Sequence, residues 1–187
     1  MAGMFIPPGD HYDVIPPRVP EPELEASWVM DREKETIRGT SAKASGVSAV
    51  VTPASPKILR ESVECIAYYF ERELECTVGV PYCSLEKADD QHRAYLWTDG
   101  GSLPGEAIVI GACCFRWRQW TDAPAGFDLA GYALQWIWFH PYERRKGHLE
   151  RAWPYFEGRF GRVIAEGPFS PAMEAFLRKH RAFPFET

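Results

Sequence analysis

The chemistry of this chain concentrates in Ile137–Leu149, IWFHPYERRKGHL. There a hydrophobic strand ends at a proline and passes through a basic, glycine-containing turn into a helix. The first turn of a helix carries amide N–H groups with no intrahelical partner and the positive end of the helix dipole. Such a junction, with glycine for close approach, is a phosphate cradle. Arg144, Arg145 and Lys146 add positive charge to it. Cations at a positive helix end are unfavourable by themselves, and an anionic ligand removes the conflict. His140 stands at the end of the strand, and an imidazole has the right intrinsic pKa to take a proton from an amine, although His-Pro also simply terminates strands. Gln135 cannot act as a base, and Glu166 and Asp128 would act only through a positioned water. Cys113 and Cys114 offer thiols but lie among Ile110, Ala112 and Phe115, where a buried thiol is inert. Trp117, Trp120, Trp136, Trp138 and Trp153, interleaved with Arg116 and Arg118, could stack bases, but on strands they read better as core or pocket wall.

These residues need a scaffold. Prolines 7, 8, 16, 17, 20 and 22 crowd the start, so residues 1 to about 26 read as an extended arm without a regular ladder. Residues 27–37 leave helix undecided, and SAKASG reads as a linker. SAVVT is a short strand, after which Ser55 and Pro56 form an N-cap and first helical position. Ile58, Leu59, Val63, Ile66, Phe70 and Leu74 recur every three or four residues, giving an amphipathic helix. Beyond a loop at residues 77–91, HRAYLWT and EAIVIGACCFRWRQW form a hairpin across DGGSLPG. GYALQWIWFH is a further strand. The spacing predicts a helix from Arg144 to Phe160, kinked or split at Pro154, then a strand at VIAEG. A last helix opens on Ser170-Pro171, with Met173, Phe176 and Leu177 facing the core.

On these residues the chain resembles the GNAT-type N-acetyltransferases. Their acetyl-CoA signature, Q/R-x-x-G-x-G/A after a central strand, is matched by Arg144-Arg145-Lys146-Gly147-His148-Leu149. The flank Phe139-His140-Pro141-Tyr142-Glu143-Arg144 agrees with the family's HP-x-x-R pattern, and the resemblance runs over residues 48–183. It implies an α/β (α+β) fold whose mixed, mostly antiparallel central sheet is flanked by helices, here with a Pro-rich N-terminal extension. The implied division is an arm and polar linker, 1–47, and an acyl-CoA-binding domain, 48–187. The implied activity is acetyl transfer from acetyl-CoA to a primary amine, on a small molecule or a protein, by direct attack. Phe139, Arg144, Arg145, Lys146, Gly147, His148 and Leu149 would hold the cosubstrate. His140 would accept the amine proton and Ser170 would donate to the CoA sulfur, although capping also accounts for Ser170. The sequence departs from the pattern twice. Leu149 stands where a small residue lets the helix approach the pyrophosphate, and Leu177 stands where a proton-donating Tyr is frequent. Those departures favour the alternative, a non-catalytic CoA-binding or protein-interaction module.

Composition narrows the field. The 187 residues are 45% hydrophobic and 25% charged, enough to build one buried core. With 21 Lys+Arg against 26 Asp+Glu the net charge is -5, so no global basic field gathers nucleic acid or anionic membrane. No apolar run of membrane-spanning length and no secretory leader is present, so a cytoplasmic address is expected. Five cysteines without CxxC spacing argue for reduced thiols, with no metal implied. A homodimer is compatible with this reading.

Overall fold

The computed structural model describes residues 14–25, 46–76, 92–100, 103–120 and 130–182. The helix considered at 27–37, the loops at 77–91 and 121–129, Cys83 and Asp128 lie outside the described residues. In chain order the elements are β1 (Arg18–Pro20), a helical segment at 21–25, β2 (Ala49–Val51), α1 (Lys57–Leu74), β3 (His92–Gly100), β4 (Glu106–Gln119) and β5 (Ala130–Phe139). A 3-10 turn (Pro141–Glu143), α2 (His148–Phe160), β6 (Ile164–Ala165) and α3 (Pro171–His180) follow.

The sheet runs β2-β3-β4-β5-β6 and is antiparallel except for the β5–β6 pair. This is the mixed, mostly antiparallel sheet flanked by helices that the sequence predicts. Its two faces bury separate cores. On one, Leu59, Val63, Ile66 and Phe70 of α1 meet Leu96, Ala112, Trp136 and Trp138. On the other, Trp153 and Phe156 of α2 and Leu177 of α3 meet Tyr95, Trp97 and Phe115. Each such side chain contributes about 1.5–3 kcal/mol through the area it removes from water. Ile58, counted with the α1 stripe in the sequence, faces outward.

Four local expectations change in the fold. The Pro-rich arm does join a ladder, since β1 pairs antiparallel with Glu106–Ile108 of β4. The carbonyl of Pro17 accepts from Val109 N–H at 2.8 Å, so prolines at this edge position still supply acceptors. Ser55 does not cap α1. Its Oγ accepts from the amide of Thr52 at 2.9 Å, and Pro56 becomes the N-cap with no side-chain bond. The helix expected from Arg144 starts only at His148, because Arg145 and Gly147 have φ of 62° and 76°, which a right-handed helix does not admit. Pro154, in turn, does not split α2. It removes only the N–H that would reach the carbonyl of Glu150, while buried Trp153, Tyr155 and Phe156 hold the helix in place.

Candidate functional site

Strand β5 and helix α2 meet at the basic turn. Gly147 caps α2 in the left-handed region with no side-chain cap, and the first intrahelical bond runs from Arg151 N–H to Gly147 O at 3.0 Å. The amides of the first turn, His148, Leu149 and Glu150, therefore have no carbonyl of their own helix to bond. Arg145 also holds a positive φ, a conformation that costs a non-glycine residue about 1–2 kcal/mol and tends to mark functional turns. Its side chain is exposed, as is that of Lys146.

The other side chains of the turn are engaged with protein. Arg144 turns back from the helix end. Its guanidinium donates to both oxygens of Glu73, at 2.8 and 2.5 Å, and Nε donates to the carbonyl of Phe139 at 3.0 Å. It lies 5.5 Å from the ring of Trp138, whose indole N–H donates to Glu73 at 2.8 Å. Lys146 Nζ donates to Glu143 at 2.7 Å, and His148 Nε2 lies 3.2 Å from the same carboxylate. Arg151 Nη2 lies 3.0 Å from Nδ1 of His148. Burial raises the pKa of Glu143, but its hydrogen bonds and attraction to Lys146 and His148 outweigh that and leave it below the ordinary 4.5.

A row of aromatic rings leads into this helix end. Gly111 of β4 sits between Trp97 of β3 and Phe139 of β5 in register. Strands two apart are separated by nearly 10 Å, yet the Trp97 and Phe139 rings approach to 4.9 Å over the missing side chain of Gly111. Phe139 in turn stacks on His148 at 5.3 Å. A Cβ at Gly111 would lie 2.7 Å from Cε1 of Phe139 and 3.0 Å from the Trp138 carbonyl. Gly111→Ala is therefore expected to destabilise the protein by about 2 kcal/mol through overpacking. It should also loosen the Phe139–His148 stack, and urea unfolding with near-ultraviolet circular dichroism checks both effects.

The remaining sequence candidates are placed as follows. His140 Nδ1 accepts from the amide of Tyr142 at 3.4 Å, and its ring stacks on Tyr142. Ser170 Oγ accepts from Met173 N–H at 3.3 Å, the helix cap expected for it. Leu149 packs against the second core, and Leu177 is fully buried in it. Cys113 and Cys114 are buried, and burial pushes the Cys113 thiol well above its ordinary value, which denies it a thiolate.

Beyond the turn, β6 pairs with β5 only at Ala133 and Leu134, with a last bond from Glu166 N–H to Leu134 O. From Gln135 to Phe139 the edge of β5 on that side has no strand pairing among the described residues. Gln135 is the extra residue of a bulge, since Cys114 faces Trp136 and Phe115 faces Leu134. Its amide donates to Glu166, and so does Arg118 Nε at 3.0 Å. Sequence reasoning named Gln135 and Glu166 singly and missed Glu73 altogether. The signal for Glu73 was an acid on the apolar stripe of α1, three residues after Phe70.

Among the described residues no cluster of three or more His, Cys, Asp or Glu is placed to hold a metal ion, and no helix is long and apolar enough to cross a membrane. No protein-family model and no curated protein matches the sequence. Among solved structures, the chain is similar to an aminoglycoside N-acetyltransferase AAC(6')-Iy in complex with CoA, at 16% identity and TM-score 0.37, covering 55% of this chain and 72% of that one. It is also similar to a ribosomal-protein-alanine N-acetyltransferase from Brucella melitensis biovar Abortus 2308, at 16% identity and TM-score 0.42, covering 72% of this chain and 88% of that one.

Proposed function

We propose that the protein is an acetyl-CoA-dependent N-acetyltransferase acting on a primary amine. The observation that carries this reading is the open, glycine-capped N-terminus of α2 directly after β5, formed by the sequence Arg144–Leu149. The first-turn amides, with Arg145 and Lys146 beside them, suit a pyrophosphate. Arg144, bound to Glu73, shapes the turn from behind. The unpaired β5 edge from Gln135 to Phe139 rises about 13 Å over four residues. That edge suits an extended pantetheine arm, which would bring the thioester toward the bulge, in the crevice at the carboxyl ends of the parallel pair β5 and β6. There the amine nitrogen attacks the thioester carbonyl, the C–S bond breaks, and the amine proton leaves to solvent or a nearby base while the CoA thiolate is protonated. His140 and Ser170 are the side chains the sequence nominates for those transfers. Both also hold backbone amides, so the reading gives the larger share of catalysis to positioning.

Binding is tested by melting. A ligand that binds only the folded state stabilises it by RT ln(1 + [L]/Kd), about 2.7 kcal/mol at a hundredfold excess over Kd. CoA and acetyl-CoA are expected to raise the melting temperature, and Arg145→Ala with Lys146→Ala to remove most of the rise without lowering the melting temperature of the free protein. An unchanged rise in that variant takes the turn out of the site. Turnover is tested by mass-resolved detection of acetylated products from an amine panel. Leu177, buried and apolar, favours a second reading in which CoA binds without turnover. A CoA-dependent shift with no product from any amine would select it.

A further inference from the structure

The face of the sheet that carries α1 changes character past Ala94, Cys114 and Trp136. Next along it come His92, Arg116 and Ala133 in one register row, then Arg118 and Gly131 in the next. Antiparallel partners share a face, and so do residues two apart on a strand, so both arginines project to the same side. Ala133 and Gly131 carry almost no side chain, which leaves a low path across β5. Along it Arg118 reaches Glu166 at the end of β6, where Gln135 also donates. Arg118, Glu166 and Gln135 thus satisfy one another.

Arg116 is left over. Its Nε is buried and has no hydrogen-bond partner among the described residues. A desolvated donor without a partner is unfavourable, the more so when it belongs to a cation. Arg118 is paired with Glu166, whereas Arg116 has no ion-pair partner among the described residues, on a chain whose net charge is -5. The side-on edge of a guanidinium, Nε with one Nη, grips a carboxylate or phosphate through two parallel hydrogen bonds. The unsatisfied Nε of Arg116 belongs to that edge.

We propose that Arg116, beside the Arg118–Glu166–Gln135 cluster at the fork of β5 and β6, binds an anionic group on the acyl acceptor. The acceptor is then an amine that also carries a carboxylate or a phosphate. This rests on the acetyltransferase reading and adds the class of substrate. The amine of such a molecule lies toward the bulge at Gln135, where the unpaired edge of β5 begins.

The test uses the full-length protein and matched amines that differ by the anion: 4-aminobutyrate against butylamine for carboxylate, O-phosphoethanolamine against ethanolamine for phosphate. Calorimetric titration at constant ionic strength is expected to give at least tenfold tighter binding for the anionic member of one pair, and that pair identifies the anion. With acetyl-CoA present, KM should follow the same order. Arg116→Gln should bring the anionic member to within about twofold of its neutral partner while leaving CoA affinity unchanged. Arg116→Lys, which keeps the charge but not the side-on edge, should retain part of the preference and guards against a folding defect in the first variant. Equal affinities within both pairs, or a preference that survives Arg116→Gln, overturns the proposal. A protein that binds CoA but shows no anion preference refutes this inference alone. A protein that binds no CoA refutes the acetyltransferase reading and the acceptor role together.

Discussion

A chain beginning at residue 26 is expected to be less stable than the full chain by about 3 kcal/mol, and to melt roughly 6–12 °C lower. The segment it lacks buries Val14, Val19 and Leu24 against α1 and β4, with Val19 completely enclosed. Three such side chains contribute about 1.5–3 kcal/mol each by area, from which the entropy of ordering the segment subtracts. Main-chain bonds are lost as well. Val109 donates to Pro17 O at 2.8 Å, Glu21 donates to Gly105 O at 3.0 Å, and the Tyr69 hydroxyl donates to Ile15 O at 2.9 Å. Truncation would also bare the stretch of β4 at Glu106–Ile108 that β1 covers, and an uncovered strand edge invites association. Thermal unfolding and solution mass measure both effects. Val19→Ala in the full chain should reproduce a part of the loss, about 1–2 kcal/mol. A truncated chain that melts within 2 °C of the full one would mean that β1 lies on the sheet without holding it.

Glu73→Ala is expected to destabilise by about 2–3 kcal/mol and to weaken CoA binding severalfold at a site its own side chain does not touch. The carboxylate accepts from both Nη atoms of Arg144 and from the indole of Trp138, so its loss strands a half-buried guanidinium and a buried N–H. Breaking a buried pair from one side costs about 3–5 kcal/mol, and partial exposure of Arg144 reduces that here. Arg144 also holds the carbonyl of Phe139, so the turn loses its tie to α1 when Glu73 goes. Glu73→Gln keeps an acceptor for Trp138 and should lose less. In a double-mutant cycle, Glu73→Ala with Arg144→Ala should fall short of the sum of the singles by at least about 1 kcal/mol. Additive losses, or an unchanged CoA affinity in Glu73→Ala, would separate this pair from the turn.

The sequence by itself determined those features whose cause is local. The three-and-four spacing of Leu59, Val63, Ile66 and Phe70 makes α1 because those positions share one face of a 3.6-residue helix. The glycine-rich break before Glu106 makes the β3–β4 hairpin, and Ser170-Pro171 caps α3 as its letters indicate. The glycine turn that opens α2 was legible for the same reason, since helix ends and glycine conformations are properties of a few consecutive residues. Only the tertiary structure decided which partner each polar or edge group takes. Arg144 finds Glu73 at a separation of 71 residues, and Arg118 finds Glu166 at 48. Ser55 exchanges the helix for the turn before it, and β1 uses the proline carbonyls that a rule about missing proline donors overlooks. A side chain chooses among many partners of similar strength, and the choice goes to whichever one the packing of α1, β4 and β5 brings within reach. That packing is a property of the whole sheet, so the unpartnered Nε of Arg116 becomes visible only once its neighbours have paired.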